Sequence, residues 1–295
     1  MSGARKDTRK SPTGGVLHVV ATPIGNLEDM TLRALRVLGE ADLIAAEGVE
    51  HTRRLCRRYE IGTRLTSYNQ NNRGRKEPDL LEKLHAGWKV ALVTNAGTPG
   101  ISDPGTLLIR RALDERIRVE AVPGPCAAVA ALSVSGLRSD GFLFAGFLSS
   151  RSGRRRREIG TLASEPRTLV FYEAPHRIRA MLEDLRAVLG DREAALAREM
   201  TKVHEEVLRG SLGELAERAE GDRARGEFTV MVEGASPGAA EEIPEAEIRG
   251  RIEELLSRGE MSLRDVAEKV SLEQGLGYRH IYKICLDVQG SLKAR

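Results

Sequence analysis

The stretch Val90-Ala-Leu-Val-Thr-Asn-Ala-Gly-Thr-Pro-Gly-Ile-Ser-Asp-Pro-Gly105, followed by Leu107-Leu-Ile-Arg-Arg-Ala-Leu113, decides the fold class. The apolar run Val90 to Val93 reads as a buried parallel strand. Gly97, Gly100 and Gly105 let the loop after it approach a ligand closely. Asp103 is placed to cap the next helix, with Pro104 in its first turn. A strand, a glycine-rich loop and a helix start form a crevice at the carboxyl end of an α/β sheet.

Two more loops repeat the pattern. Leu17-His-Val-Val-Ala21 is a strand that opens into Thr22-Pro-Ile-Gly-Asn26, and Asp29 or Thr31 then starts a helix with a stripe at Leu32, Leu35 and Leu38. Arg118-Val-Glu-Ala-Val122 is a strand, Pro123-Gly-Pro125 a turn, and an alanine-rich helix runs to Gly136 as C-cap. Three ligand-sized loops on one parallel sheet make a site.

The chain of 295 residues has room for two modest domains with real cores. Residues 1–15 read as a flexible polar tail without the apolar region of a secretory signal. No apolar run approaches the roughly 20 residues of a membrane helix, so no membrane association is expected. Cys56, Cys126 and Cys285 are scattered and odd in number, which fits the reducing cytoplasm. No Cys or His pair has zinc spacing, so no metal is expected.

The net charge of +3 is small, but the cations are clustered. Arg53, Arg54, Arg57 and Arg58, and then Arg73, Arg75 and Lys76, read as solvated faces. The run with Arg151, Arg154, Arg155, Arg156 and Arg157 reads instead as a divider between halves and a binder of phosphate, because adjacent guanidinium groups repel unless solvated or paired with a polyanion.

Strand and helix alternate to about Ser139, giving an N-terminal α/β domain at 16–140. A second α/β domain at 141–235 takes strands at Arg167–Tyr172, Ala194–Ala197, Glu205–Gly210 and Glu227–Val232, with helices after Pro175 and at Leu212–Ala219. Ser236-Pro-Gly-Ala-Ala240 is a linker. A small helical domain at 241–295 follows, with a helix over Glu247–Leu256, a second capped by Ser262 and a third from Arg279, in a spacing like a helix-turn-helix.

Six motifs in order resemble the ribosomal RNA small-subunit methyltransferase I family of the tetrapyrrole methylase superfamily. They are Ala21–Leu35, Asn95–Gly105, Val122–Pro125, Phe171-Tyr-Glu-Ala-Pro-His-Arg177, Arg198-Glu-Met-Thr-Lys202 and Gly226-Glu-Phe228, within residues 16–235. The resemblance implies a parallel sheet, then a mixed sheet, with S-adenosyl-L-methionine held between the halves. It also implies a homodimer and 2′-O-methylation of a cytidine in small-subunit ribosomal RNA near the decoding centre, on RNA or the assembled small subunit. By motif match, Pro23, Asn95, Thr98, Cys126 and Ala127 are cofactor-binding, joined by Tyr172, Met200 and Phe228 from the second half. The family usually has Asp at Asn95 and Ser at Cys126, and Pro-Arg-Lys where this chain has Ser149-Ser-Arg151. Asn95 keeps an acceptor oxygen but loses a charge that would face the cofactor's cationic groups.

Methyl transfer to a ribose hydroxyl calls for a base, or for a cation that stabilises the developing alkoxide. Glu173, His176, Glu199, Lys202 and His204 are candidates, and Lys202, with Glu199 and Glu173 shaping its charge, is favoured. Lys202 would need a depressed pKa to act as a base but none to act as a stabiliser. Other classes fit less well. Gly100-Ile-Ser-Asp-Pro-Gly105 misses the hydrolase nucleophile elbow by one residue, and Thr22-Pro-Ile-Gly25 does not supply the dinucleotide fingerprint. No phosphate-binding Gly-Lys-Ser/Thr is present. A tetrapyrrole substrate would leave the arginines without use, and a non-enzymatic RNA-binding protein would leave three converging loops unexplained.

Overall fold

The computed structural model describes residues 14–102, 105–219, 226–236, 245–257, 261–274 and 278–293. The caps expected from Asp103 and Pro104, residues 1–13 of the tail and residues 237–240 of the linker lie outside them.

The first sheet contains β1 (Val16–Val20), β2 (Leu43–Ala46), β3 (Leu65–Ser67), β4 (Lys89–Val93) and β5 (Arg118–Val122), in the order β3-β2-β4-β1-β5. All pairs are parallel. The chain leaves β1 across β4 toward β2 and leaves β4 the other way across β1 toward β5, so these two connections run in opposite directions over opposite faces and leave a crevice between them at the carboxyl ends of the central strands. Right-handed crossovers then put α1 (Leu32–Glu40) and α4 (Thr106–Asp114) on opposite faces, each with its own core.

Thr31 is the cap of α1, its hydroxyl accepting the Ala34 N–H at 3.1 Å, while Asp29 lies in a preceding turn of 3-10 helix. The apolar stripe differs from the expected one. Ala34, Val37 and Leu38 are buried, whereas Leu32 is 86% exposed. A strict three-residue spacing drifts around a helix of 3.6 residues per turn and leaves the core.

The second sheet has the order β6-β7-β10-β8-β9, from β6 (Phe142–Phe147), β7 (Thr168–Glu173), β8 (Glu193–Arg198), β9 (Glu206–Ser211) and β10 (Phe228–Val232). β6 and β7 are parallel and the other pairs antiparallel, so this sheet is mixed. Both faces are apolar, with Leu169 and Phe171 on one side and Val170 on the other. α6 (Ser152–Gly160), α7 (Ile178–Leu189) and α8 (Leu212–Arg218) cover the first face. The second face receives α5 (Ala127–Ser135), the helix that leaves the first sheet, through Ala128, Ala131 and Leu132. Contacts through Gly234 accordingly form one compact unit carrying both sheets.

The arginine run does not divide the halves. It lies in α6, the crossover between the parallel strands β6 and β7. Arg155 is buried, and its Nε donates to Asp184 at 2.7 Å while its other nitrogens reach the carbonyls of Ser149, Ser150 and Ala180. Arg155 is therefore a core residue and not available to phosphate.

Residues 235–295 form a separate compact unit. α9 (Glu245–Ser257), α10 (Leu263–Gln274) and α11 (Tyr278–Lys293) pack around Ile252, Val266, Ile281 and Cys285. Ser262 caps α10, as its spacing predicts, accepting from the Asp265 N–H at 3.3 Å. Among the described residues no helix is long and apolar enough to cross a membrane.

Replacing Arg155 by Ala removes one of the two cations on the buried Asp184 carboxylate, leaving it Arg156 and Ser152, and is expected to lower stability by about 2–3 kcal/mol in urea titrations, whereas Arg154→Ala stays within about 0.5 kcal/mol. Burial opposes ionisation of Asp184, but its bonds to Arg156, Ser152 and Arg155 prevail and hold its carboxyl below the usual value. Its contribution is thus complete above the unfolded-state value, about 3.9, and is lost as acidification passes the lowered pKa.

Candidate active site

A pocket of about 340 Å³ lies between the carboxyl end of the first sheet and the second sheet. Its floor comes from three interlocked loops. Thr22 and Gly97 exchange backbone hydrogen bonds of 2.9 and 3.0 Å, Thr22 Oγ1 donates to the Thr94 carbonyl, and Thr98 Oγ1 donates to the Pro125 carbonyl at 3.2 Å. Gly97 needs its left-handed backbone, at φ 74°, to make this bridge.

The second sheet supplies the opposite wall. The Tyr172 hydroxyl accepts the Ala128 N–H at the start of α5, at 3.0 Å. Beyond β8 the chain turns through Glu199 and Thr201, both non-glycine residues at positive φ, which places Met200 against the pocket. Thr201 Oγ1 accepts the Asn26 N–H at 3.0 Å, and Gly25 sits so tightly on this turn that a Cβ would come within 2.4 Å of Lys202 Cγ. Loop 22–26 and turn 199–202 thereby lock the two halves together.

Among the residues expected to bind cofactor, Thr98, Cys126, Ala127, Tyr172, Met200 and Phe228 line the pocket. Pro23 and Asn95 do not. Pro23 is buried beneath its loop, and its neighbour Ile24 faces the pocket instead. Asn95 is turned toward the end of β2, where its N–H donates to Glu47 Oε2 at 3.0 Å and its Oδ1 fills the space above Gly48. The carboxylate beside Asn95 is that of Glu47, which does not line the pocket either.

Glu173 lines the pocket with its side chain fully buried. One oxygen accepts the Ala174 N–H at 2.7 Å. The other lies 3.1 Å from Arg177 Nη2 but has no properly aligned hydrogen bond. Lys202 does not meet Glu173. Its ammonium lies 2.8 Å from Glu199 and 3.0 Å from Glu227, and Glu227 lines the pocket. Glu227 thus takes the position expected of Glu173. Burial pulls the Lys202 pKa down, but the two carboxylates prevail and raise it above its usual value, so Lys202 stays protonated at neutral pH. For Glu199, burial acts upward, and the bonds from Lys202 and the Glu227 N–H outweigh it and lower its pKa. His176 and His204 are exposed.

Along α6, Arg151 and Arg157 are exposed, Arg154 pairs with Glu158 at 3.1 Å, and Arg156 reaches Asp184 at 2.5 Å. Arg154, Glu158, Ser149 and Phe147 border a groove of about 460 Å³. The sequence reading passed over Ile24, Phe147 and Glu227 at the pocket. Glu227 carried a signal, since it stands inside the Gly226-Glu-Phe228 motif.

The tetrapyrrole (corrin/porphyrin) methylase family model matches residues 16–216. The chain is 41% identical to a ribosomal RNA small subunit methyltransferase I of Synechocystis sp., over 93% of this chain and 99% of that one. It is 43% identical to the same-named protein of Escherichia coli O157:H7, over 94% and 96%. This chain belongs to the ribosomal RNA small subunit methyltransferase I family. The fold is also that of cobalt precorrin-4 methyltransferase, at a TM-score of 0.59 and 15% identity over 74% of this chain and 94% of that one. Uroporphyrin-III C-methyltransferase of Thermus thermophilus, solved with S-adenosylhomocysteine, gives 0.54 and 23% over 74% and 97%.

Gly25→Ala is expected to cost about 1–3 kcal/mol in thermal denaturation, because the new methyl meets Thr201 and the Met200 carbonyl as well as Lys202. Gly39→Ala, in open space on α1, is expected to raise stability by about 0.5–1 kcal/mol.

Proposed function

We propose that this chain methylates small-subunit ribosomal RNA with S-adenosyl-L-methionine, at the ribose 2′-oxygen of a cytidine near the decoding centre. The observation that carries the reading is the apolar pocket at the sheet's carboxyl end, lined from both halves by Thr98, Cys126, Ala127, Tyr172, Met200 and Phe228. The pocket's volume is also suitable for a small ligand. The names and high coverage of the relatives support RNA as substrate.

When bound, the cofactor would supply a methyl group on a cationic sulfur for transfer to the hydroxyl oxygen, the electron pair of the S–C bond leaving with sulfur. Thr98, Cys126, Ala127, Tyr172, Met200 and Phe228 hold the cofactor and exclude water. Glu173, held by Arg177 and the Ala174 N–H, fixes the pocket wall. Lys202, kept protonated by Glu199 and Glu227, stabilises the alkoxide as it forms, and the hydroxyl proton passes to water at the rim. Lys202 is not the base, because its pKa moves in the wrong direction for that role. Arg151, Arg154, Arg156 and Arg157 hold phosphates of the RNA.

The chain acts in the cytoplasm as a homodimer. Support for the dimer comes from α4 and α5, which expose Leu107, Leu113, Val129 and Val134.

Transfer of labelled methyl from S-adenosylmethionine to unmethylated small subunits, with nuclease mapping, tests this reading. Label on a single cytidine 2′-oxygen is expected, and no transfer to RNA despite cofactor binding would reject the substrate. Lys202→Met is expected to lower kcat by about 10²–10³-fold, with Lys202→Arg retaining part of the activity. Joint replacement of Arg151, Arg154 and Arg157 by Ala is expected to flatten the salt dependence of RNA binding by filter assay.

A further inference from the structure

Phe147 is the most exposed phenylalanine of the chain, at 57%, and it belongs to the wall of two cavities at once. On one side lies the proposed cofactor pocket. On the other lies the groove bordered by Ser149, Arg154 and Glu158.

Its direction is set by an irregularity in β6. In a regular strand Phe144 and Phe147 would point to opposite faces. The pairing of β6 with β7 slips between Phe144 and Gly146, leaving one extra residue, and Gly146 adopts φ 66°. A bulge of this kind re-aims every side chain beyond it. As a result both rings reach Tyr172, Phe144 with its centroid at 4.9 Å and Phe147 at 5.6 Å. Phe144 is partly buried against the core that holds α5, while Phe147 remains open to solvent.

An exposed ring costs hydration free energy and contributes little to folding, so its position calls for a partner. The surrounding charge indicates which partner. α6 carries four arginines, with Arg151 just before it, against Glu158 and Asp184, leaving positive charge beside the ring. A ring next to guanidinium groups suits a nucleobase with its phosphates, since every base has a π face to stack.

Resting on the RNA reading above, we infer that Phe147 is the platform on which a base of the substrate RNA stacks, at the boundary between cofactor pocket and arginine groove. It is a positioning residue. It orients the nucleotide so that its ribose faces the methyl donor, while Arg154 and its neighbours hold the adjoining backbone.

The test is steady-state methyl transfer to unmethylated small ribosomal subunits by the full chain, alongside calorimetric Kd for S-adenosylmethionine and thermal denaturation. Phe147→Ala and Phe147→Leu are expected to raise KM for the subunits about tenfold or more, with cofactor Kd changed less than about threefold. Phe147→Trp is expected to restore KM. A Leu variant equal to wild type would overturn the inference, since an apolar wall without a π face would then suffice. So would a KM effect matched by the loss of cofactor affinity, which would make Phe147 only part of the cofactor pocket. If the wild-type chain transfers no label to RNA, the RNA reading itself fails and takes the inference with it.

Discussion

The packing of α5 on the second sheet is the contact on which the rest of the structure depends. The helix begins where β5 of the first sheet ends, yet its buried face, Ala128, Ala131 and Leu132, belongs to the core of the second half. Small side chains on both partners, including Ala195 and Ala197, allow close approach. The Tyr172 hydroxyl fixes the first turn of the helix at the same place. A hinge between two separate domains would have left this apolar helix in water. Packed as it is, α5 makes one rigid wall of the pocket and holds the other wall opposite it.

Around that wall the backbone departs most from regular geometry. The positive φ values at Glu199 and Thr201 put Met200 into the pocket, and the bulge at Gly146 brings Phe147 to its edge. Both irregularities are held in place by their surroundings: the turn by Asn26 and Glu227, and the strand by its ladder with β7. Conformations that cost energy by themselves persist only where neighbours over-determine them. Here those neighbours come from both halves, so cofactor pocket and inter-half junction are one piece of structure.

Charge is divided in a similar way. Within α6, one arginine is drawn into the core by Asp184 while those on either side face water. Adjacent positions on a helix differ by 100°, so a run of four cannot present a single face. At the pocket rim, Glu199 and Glu227 hold one lysine between them and keep it cationic. The same residue types thus serve as core ion pair, solvent-facing cation or poised charge according to where the fold puts them.

The sequence by itself determined the units built on β1, β4 and β5, the strands β7 to β10 and most of the pocket floor, but not β2, β3, β6 or the helix that carries the arginine run. Strand–loop–helix units announce themselves because apolar period, glycine and capping residue are adjacent in the chain, and the loops after β1, β4 and β5 stand out for that reason. The motif residues Thr98, Cys126, Tyr172 and Met200 could be placed at one pocket through resemblance, without any contact being known. Only the tertiary structure decided which neighbours those residues meet. Asn95 turns to Glu47, Glu173 to Arg177 and Lys202 to Glu227, each partner tens of residues away or on the hidden side of a turn. The burial of Arg155 and the direction of Phe147 belong to the same class. They follow from helix phase against a facing acid and from one extra residue in a strand ladder, and both are properties of packed elements that spacing along the chain does not record.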